Sequence, residues 1–125
     1  MVRSLPIALA IAAMIPATAG AVTTEDFKVN QAQNLLNLCS ADESDPLHDE
    51  AMMFCFGYFA GAMHFHRGLT ATGEIKPMAC PQGTVTRVEA AKNFVTWAKA
   101  NPQHMGEPAI DSAVRSAVAA WPCPK

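Results

Sequence analysis

Apolar positions along this chain fall into four segments of helical spacing, parted by stretches rich in Pro, Gly, Ser and Asp. In the first, Phe27, Ala32, Leu35, Leu36 and Cys39 recur at intervals that place side chains on one helix face. Thr23-Thr24-Glu25-Asp26 supplies hydroxyl and acidic groups suited to a helix start. The pattern predicts a first helix over about 24–39. Asp45-Pro46 marks a second start, an acid at the cap followed by proline at the first helical position. The second helix is predicted from Pro46 to about Arg67, with Gly68 as its C-terminal cap. From Ala51 to Ala62 it carries no charge. A helix apolar on every side needs neighbours all round, so this one is expected at the centre. Gly57 and Gly61 share a face and would admit another helix at close range. That packing would offset the roughly 1 kcal/mol that a helical glycine costs against alanine.

Leu69 to Gln82, with Gly73, Pro77 and Pro81, reads as a loop. Thr86-Arg87-Val88-Glu89 fits a capping box, in which threonine and glutamate each satisfy a free backbone amide. A third helix follows, with Val88, Ala91, Val95 and Ala98 as its apolar stripe and Asn101-Pro102 as its end. Glu107-Pro108 opens a fourth, whose Ile110, Ala113, Val114, Ala117, Val118 and Trp121 form the expected buried face. There is no alternating strand pattern and no internal repeat. The expected fold is all-α: a small disulfide-braced bundle of about four helices without a sheet.

The N-terminus changes this picture. Arg3 precedes an apolar run, Leu5 to Ile15, which Pro16 ends before the small residues Ala17-Thr18-Ala19-Gly20-Ala21. That order is a secretory leader. The run is too short for the roughly 20 residues a spanning helix needs. Cleavage fits after Ala19 or after Ala21. The expected organisation is a leader over 1–21 and one helical domain over 22–125, exported to the periplasm, with no membrane span once the leader is gone.

Charge and cysteines narrow the chemistry. Nine Lys and Arg face eleven Asp and Glu in 125 residues. They are not clustered as phosphate binding requires, so nucleic acid is not an expected partner. All four cysteines, Cys39, Cys55, Cys80 and Cys123, follow the leader. An even count in a short exported chain points to disulfides. Two pairings suit the helices. A nested set, Cys39 with Cys123 and Cys55 with Cys80, is preferred because it would staple the 69–79 loop onto the second helix. Cys39 with Cys55 and Cys80 with Cys123 is the rival.

His64 and His66 are two residues apart and diverge on a helix, and His48 and His104 lack a neighbouring ligand. No metal or cofactor is expected. No G-x-S-x-G elbow occurs, and no serine stands in a recognisable catalytic context. The chain is therefore not expected to be an enzyme. Asp42, Glu43 and Asp45 read as cap and solvent-facing acids, with contact to a basic groove on a partner as the functional alternative. The run of Met and Phe from Met52 to Phe65 fills a core or presents a face to a second copy.

Several motifs occur in a fixed order: Leu35-Leu36-Asn37-Leu38-Cys39, Cys55-Phe56-Gly57-Tyr58-Phe59-Ala60-Gly61, Cys80-Pro81-Gln82-Gly83-Thr84-Val85-Thr86, Asn101-Pro102 and Trp121-Pro122-Cys123-Pro124. Together they resemble the Rap/Tai family of periplasmic immunity proteins of type VI secretion systems, over about residues 30–124. The resemblance implies a small helical protein, often dimeric, that plugs the catalytic cleft of a peptidoglycan amidase effector. A cell-wall amidase is thus the expected protein partner, with a homodimer as a second association. The alternative is a periplasmic acid-stress chaperone, whose Met and Phe would supply apolar surface and whose histidines would charge in acid, or a periplasmic binding protein without an effector.

Overall fold

The computed structural model describes residues 20–125, so the basic start and apolar run of the expected leader lie outside the described residues. The chain forms α1 (Ala32–Cys39), α2 (His48–Ala71), α3 (Arg87–Ala100) and α4 (Ala109–Ala120), with single 3-10 turns at Asp26–Lys28 and Pro102–His104. Among the described residues β-structure is confined to an isolated bridge between Gln31 and Pro108. The all-α bundle expected from the apolar spacing is what the chain adopts.

Its centre is not where the sequence placed it. The eight-residue α1 supplies Ala32, Leu35, Leu36 and Leu38, all without solvent exposure. Helices α1 and α3 each pack against all the other helices, and Phe94 of α3 is the largest fully buried side chain. By contrast, α2 buries only Ala51, Cys55 and Phe59, one stripe four residues apart. The reason is length. An α-helix rises about 1.5 Å per residue, so the 8 residues of α1 cannot cover the 24 of α2. Met53 is 75% exposed and Phe65 69%. Gly57 and Gly61 admit no helix of this chain: a side chain at either would meet nothing within 4 Å.

The predicted first helix is broken in two. Val29 adopts a left-handed φ of 49° and caps the 3-10 turn, and Gln31 is extended. Buried Asp26 organises the break. Its carboxylate accepts from the Thr23 amide at 2.8 Å and the Thr23 hydroxyl at 2.9 Å, and from Asn34 and Asn37 Nδ2, each at 3.0 Å. The detour sets Phe27 edge-on to Phe54, with ring centres 5.6 Å apart. The start of α2 is His48 rather than Pro46, because Asp45 accepts from the amides of both Leu47 and His48. Nor does Gly68 end α2. The helix runs on to Ala71, and the positive φ that needs glycine falls at Gly73.

Thr86 caps α3 as expected, accepting from the Glu89 amide at 3.2 Å while Glu89 Oε2 accepts from the Thr86 amide at 2.7 Å. The buried stripe is Ala90, Ala91, Phe94 and Ala98, and Val88 is exposed. In α4 the buried face is Ala109, Ser112, Ala113 and Ser116. Of the six residues predicted to form that face, only Ala113 is in the core. Small residues let α4 lie close to α3, and Asn93 Nδ2 donates to the Ser116 carbonyl across the contact.

The disulfides are Cys39–Cys55 and Cys80–Cys123, with Cα atoms 5.2 and 4.8 Å apart. The preferred nested pairing is thereby corrected. Cys39 closes α1, and the short connection to α2 returns the chain beside it, within reach of Cys55. Cys80 and Cys123 instead join the two irregular segments that follow α2 and α4.

Candidate functional site

Beyond the reach of α1, the second half of α2 and the length of α4 diverge. The 72–86 segment between α2 and α3 returns across one end of the opening. The result is an open groove of about 550 Å³. Phe59 and Met63 of α2, Met78 and Val85 of the returning segment, Val114 of α4 and Trp121 just after it line it. The larger apolar residues of α4, read from the sequence as core, therefore face this groove or solvent. Ile110 is 46% exposed and Met78 47%.

The returning segment has no regular secondary structure, yet it is fixed at several points. The Cys80–Cys123 bridge ties it to the C-terminus. The Cys80 amide donates to the Trp121 carbonyl at 2.7 Å. The Met78 amide donates to His66 Nε2 at 3.1 Å, which anchors the loop to α2. Ile75 and Met78 are left pointing outward on an anchored loop.

The acidic residues singled out from the sequence sit elsewhere, in the connection before α2. Asp42 Oδ1 accepts from the Ser44 amide at 2.9 Å and the Ser44 hydroxyl at 2.6 Å. Those bonds, the hydroxyl's first, hold its carboxyl below the ordinary value. Asp45 uses one oxygen on the Leu47 amide at 2.9 Å and the other on the Val22 amide at 2.8 Å. Glu43 is exposed on the same turn. The groove begins at Phe59, so the first half of α2 separates this turn from it. Gly57 and Gly61 lie on the outer face of α2, and Cys39–Cys55 lies in the core.

A further polar cluster braces the segment that precedes α4. Glu107 bonds His104 Nδ1 at 2.7 Å and Arg115 Nε at 2.9 Å. The His104 bond leads the interactions that lower the Glu107 pKa. His104 also stacks on Trp97, with ring centres 5.4 Å apart. The segment so held offers the carbonyls of Glu107 and Met105 to the amides of Ala32 and Gln33, at 2.8 and 3.0 Å. Free donors at the start of α1 are thus satisfied by backbone more than 70 residues away.

Chemically, this surface is suited to apolar contact. Among the described residues no group of three or more His, Cys, Asp or Glu side chains could hold a metal ion, and no helix is long and apolar enough to cross a membrane. All four cysteines are in disulfides. Sequence reasoning missed the groove because α4 carries two candidate stripes, one of large apolar residues and one of Ala and Ser, and size alone favoured the first.

Compared with known proteins, residues 31–123 match the family described as Rap1a immunity proteins. No curated protein and no solved structure matches the chain.

Proposed function

The chain belongs to the Rap1a immunity protein family, and from that membership we propose that it protects its cell by binding a peptidoglycan amidase effector of a type VI secretion system in the periplasm. The contact surface in this proposal is the anchored 72–86 loop with the apolar groove beside it. One observation carries the choice: exposed Ile75 and Met78 stand on a segment fixed by a disulfide and two backbone hydrogen bonds. A loop ordered before binding loses little entropy on entering a cleft. Inhibition is then steric, with the loop occupying space that substrate needs. No catalytic step by this chain is involved.

The test is co-expression with periplasm-directed amidases encoded in the same genome. Wild-type protein rescues growth and co-elutes with one of them, whereas M78D and I75D fold normally and lose both properties. Failure to rescue or bind any such amidase refutes the amidase reading. Loss of protection in a Glu43→Lys variant, with M78D still active, would move the contact to the acidic turn of Asp42, Glu43 and Asp45.

We further propose that two copies pair through the outer face of α2. The open space over Gly57 and Gly61 supports this, flanked as it is by exposed Met53 and Phe65. An antiparallel crossing at the glycines sets Met53 opposite Phe65. It also sets Asp49 and Glu50 of one copy near the Arg67 end of the other, so charges as well as shapes match.

A further inference from the structure

Val22, the first core residue among those described, bears on how the mature chain begins. Val22 is buried, 8% exposed, in a small cluster with Leu38 and Ala51, whereas Gly20 and Ala21 are exposed. Its backbone nitrogen lies 2.8 Å from Asp45 Oδ2. Asp45 is itself rigidly held. Its Oδ1 accepts from Leu47, its carbonyl accepts from His48, and its amide donates to the Asp42 carbonyl. Among the described residues, none of the ion pairs involves Asp45. Both oxygens of this part-buried carboxylate are therefore met by backbone amides, and neither by a cation. Gly20 and Ala21 line a hollow together with Ser40, Asp42, Ser44, Asp45 and Pro46.

We infer that leader removal cuts the Ala21–Val22 bond and that the α-ammonium created on Val22 is the missing cation for Asp45. The inference rests on the exported reading of the chain. A leader peptidase adds water across the peptide bond. Ala21 leaves as a carboxylate on the leader, and the amine of Val22 takes up a proton near neutral pH. A neutral amide donor facing an ionised carboxylate thereby becomes a cation facing it, which adds charge–charge attraction to a hydrogen bond already in place. The other cut allowed by the sequence, after Ala19, does less. The Gly20 nitrogen lies 3.2 Å from Asn37 Oδ1, an uncharged amide oxygen. Processing at Val22 thus creates an ion pair that fastens the new N-terminus to the turn between α1 and α2.

Two measurements test this. The first is the intact mass of protein recovered from the cell envelope. Val22 as first residue is the expected result. Gly20 as first residue overturns the assigned bond while leaving cleavage standing, and a mass that still includes the leader overturns cleavage itself and with it the new terminus. The second uses protein beginning at Val22, with its α-amine free or acetylated, in the wild-type and Asp45→Asn backgrounds at about pH 6, where a free amine is charged. Acetylation keeps one N–H and removes the charge. It should lower the folding equilibrium constant about fivefold in wild type and leave D45N unchanged. No effect of acetylation in wild type, or an equal loss in D45N, overturns the ion pair.

Discussion

Asp26 shows how much one buried polar residue decides. Burial by itself would raise its carboxyl pKa. The hydrogen bonds, led by that from Asn34, together outweigh burial and bring the value below 3.8. Asp26→Asn replaces an acceptor of several donors by a group that must present its own N–H to them. The substitution should lower stability by about 1–3 kcal/mol at pH 7, as read from urea unfolding. The pH dependence has a fixed sign. A carboxyl with a lowered folded-state pKa contributes stability that is complete above the ordinary value of 3.8 and is lost as pH falls through the folded value. The gap between wild type and D26N should therefore shrink in acid below that value. Asp26 was visible in the sequence only as a helix-start acid. Its real donors, Asn34 and Asn37, are one helical turn apart on α1, and nothing local announced that α1 would fold back onto the 3-10 turn.

Among the elements, legibility followed how local the signal is. The start of α3 was readable because Thr86 and Glu89 satisfy one another within a single turn. Thr86→Ala should lower stability by about 1 kcal/mol, measurable by thermal or urea unfolding. The helix ends at Asn101 and Ala109 were readable for the same reason, since proline constrains its own neighbourhood. Which face each helix buries was not readable from one segment, because burial depends on what arrives opposite. Helix α4 turns its Ala and Ser stripe inward to lie close to α3, and α2 outruns its short neighbour. The disulfides divide likewise. Cys39–Cys55 spans 16 residues inside the core, and its removal should cost about 3 kcal/mol. Replacing Cys80 and Cys123 by serine should leave the helical circular dichroism unchanged and raise amide exchange across 74–85. Unchanged exchange there would show that the bridge does not hold the loop.

For the molecule as a whole, the order of cysteine motifs was enough to indicate the family, and the apolar spacing was enough to indicate an all-α bundle. The surfaces were harder to read, since a groove exists only once α2, the 72–86 loop and α4 stand in place. Self-association is the property to test at this scale. A Cβ added at Gly57 meets nothing within 4 Å in the single chain, and helix propensity favours Gly57→Leu by nearly 1 kcal/mol. The variant should be at least as stable as wild type when dilute. In light scattering at high concentration its mass should correspond to one chain where wild type gives two. A wild-type mass of one chain at all concentrations would discard the pairing.

The backbone clasp on α1 has a consequence for synthesis. The most interior helix is also among the earliest made, yet the carbonyls that close its first turn belong to Met105 and Glu107. A chain delivered N-terminus first, by ribosome or by translocation pore, cannot finish its core until the last third has emerged.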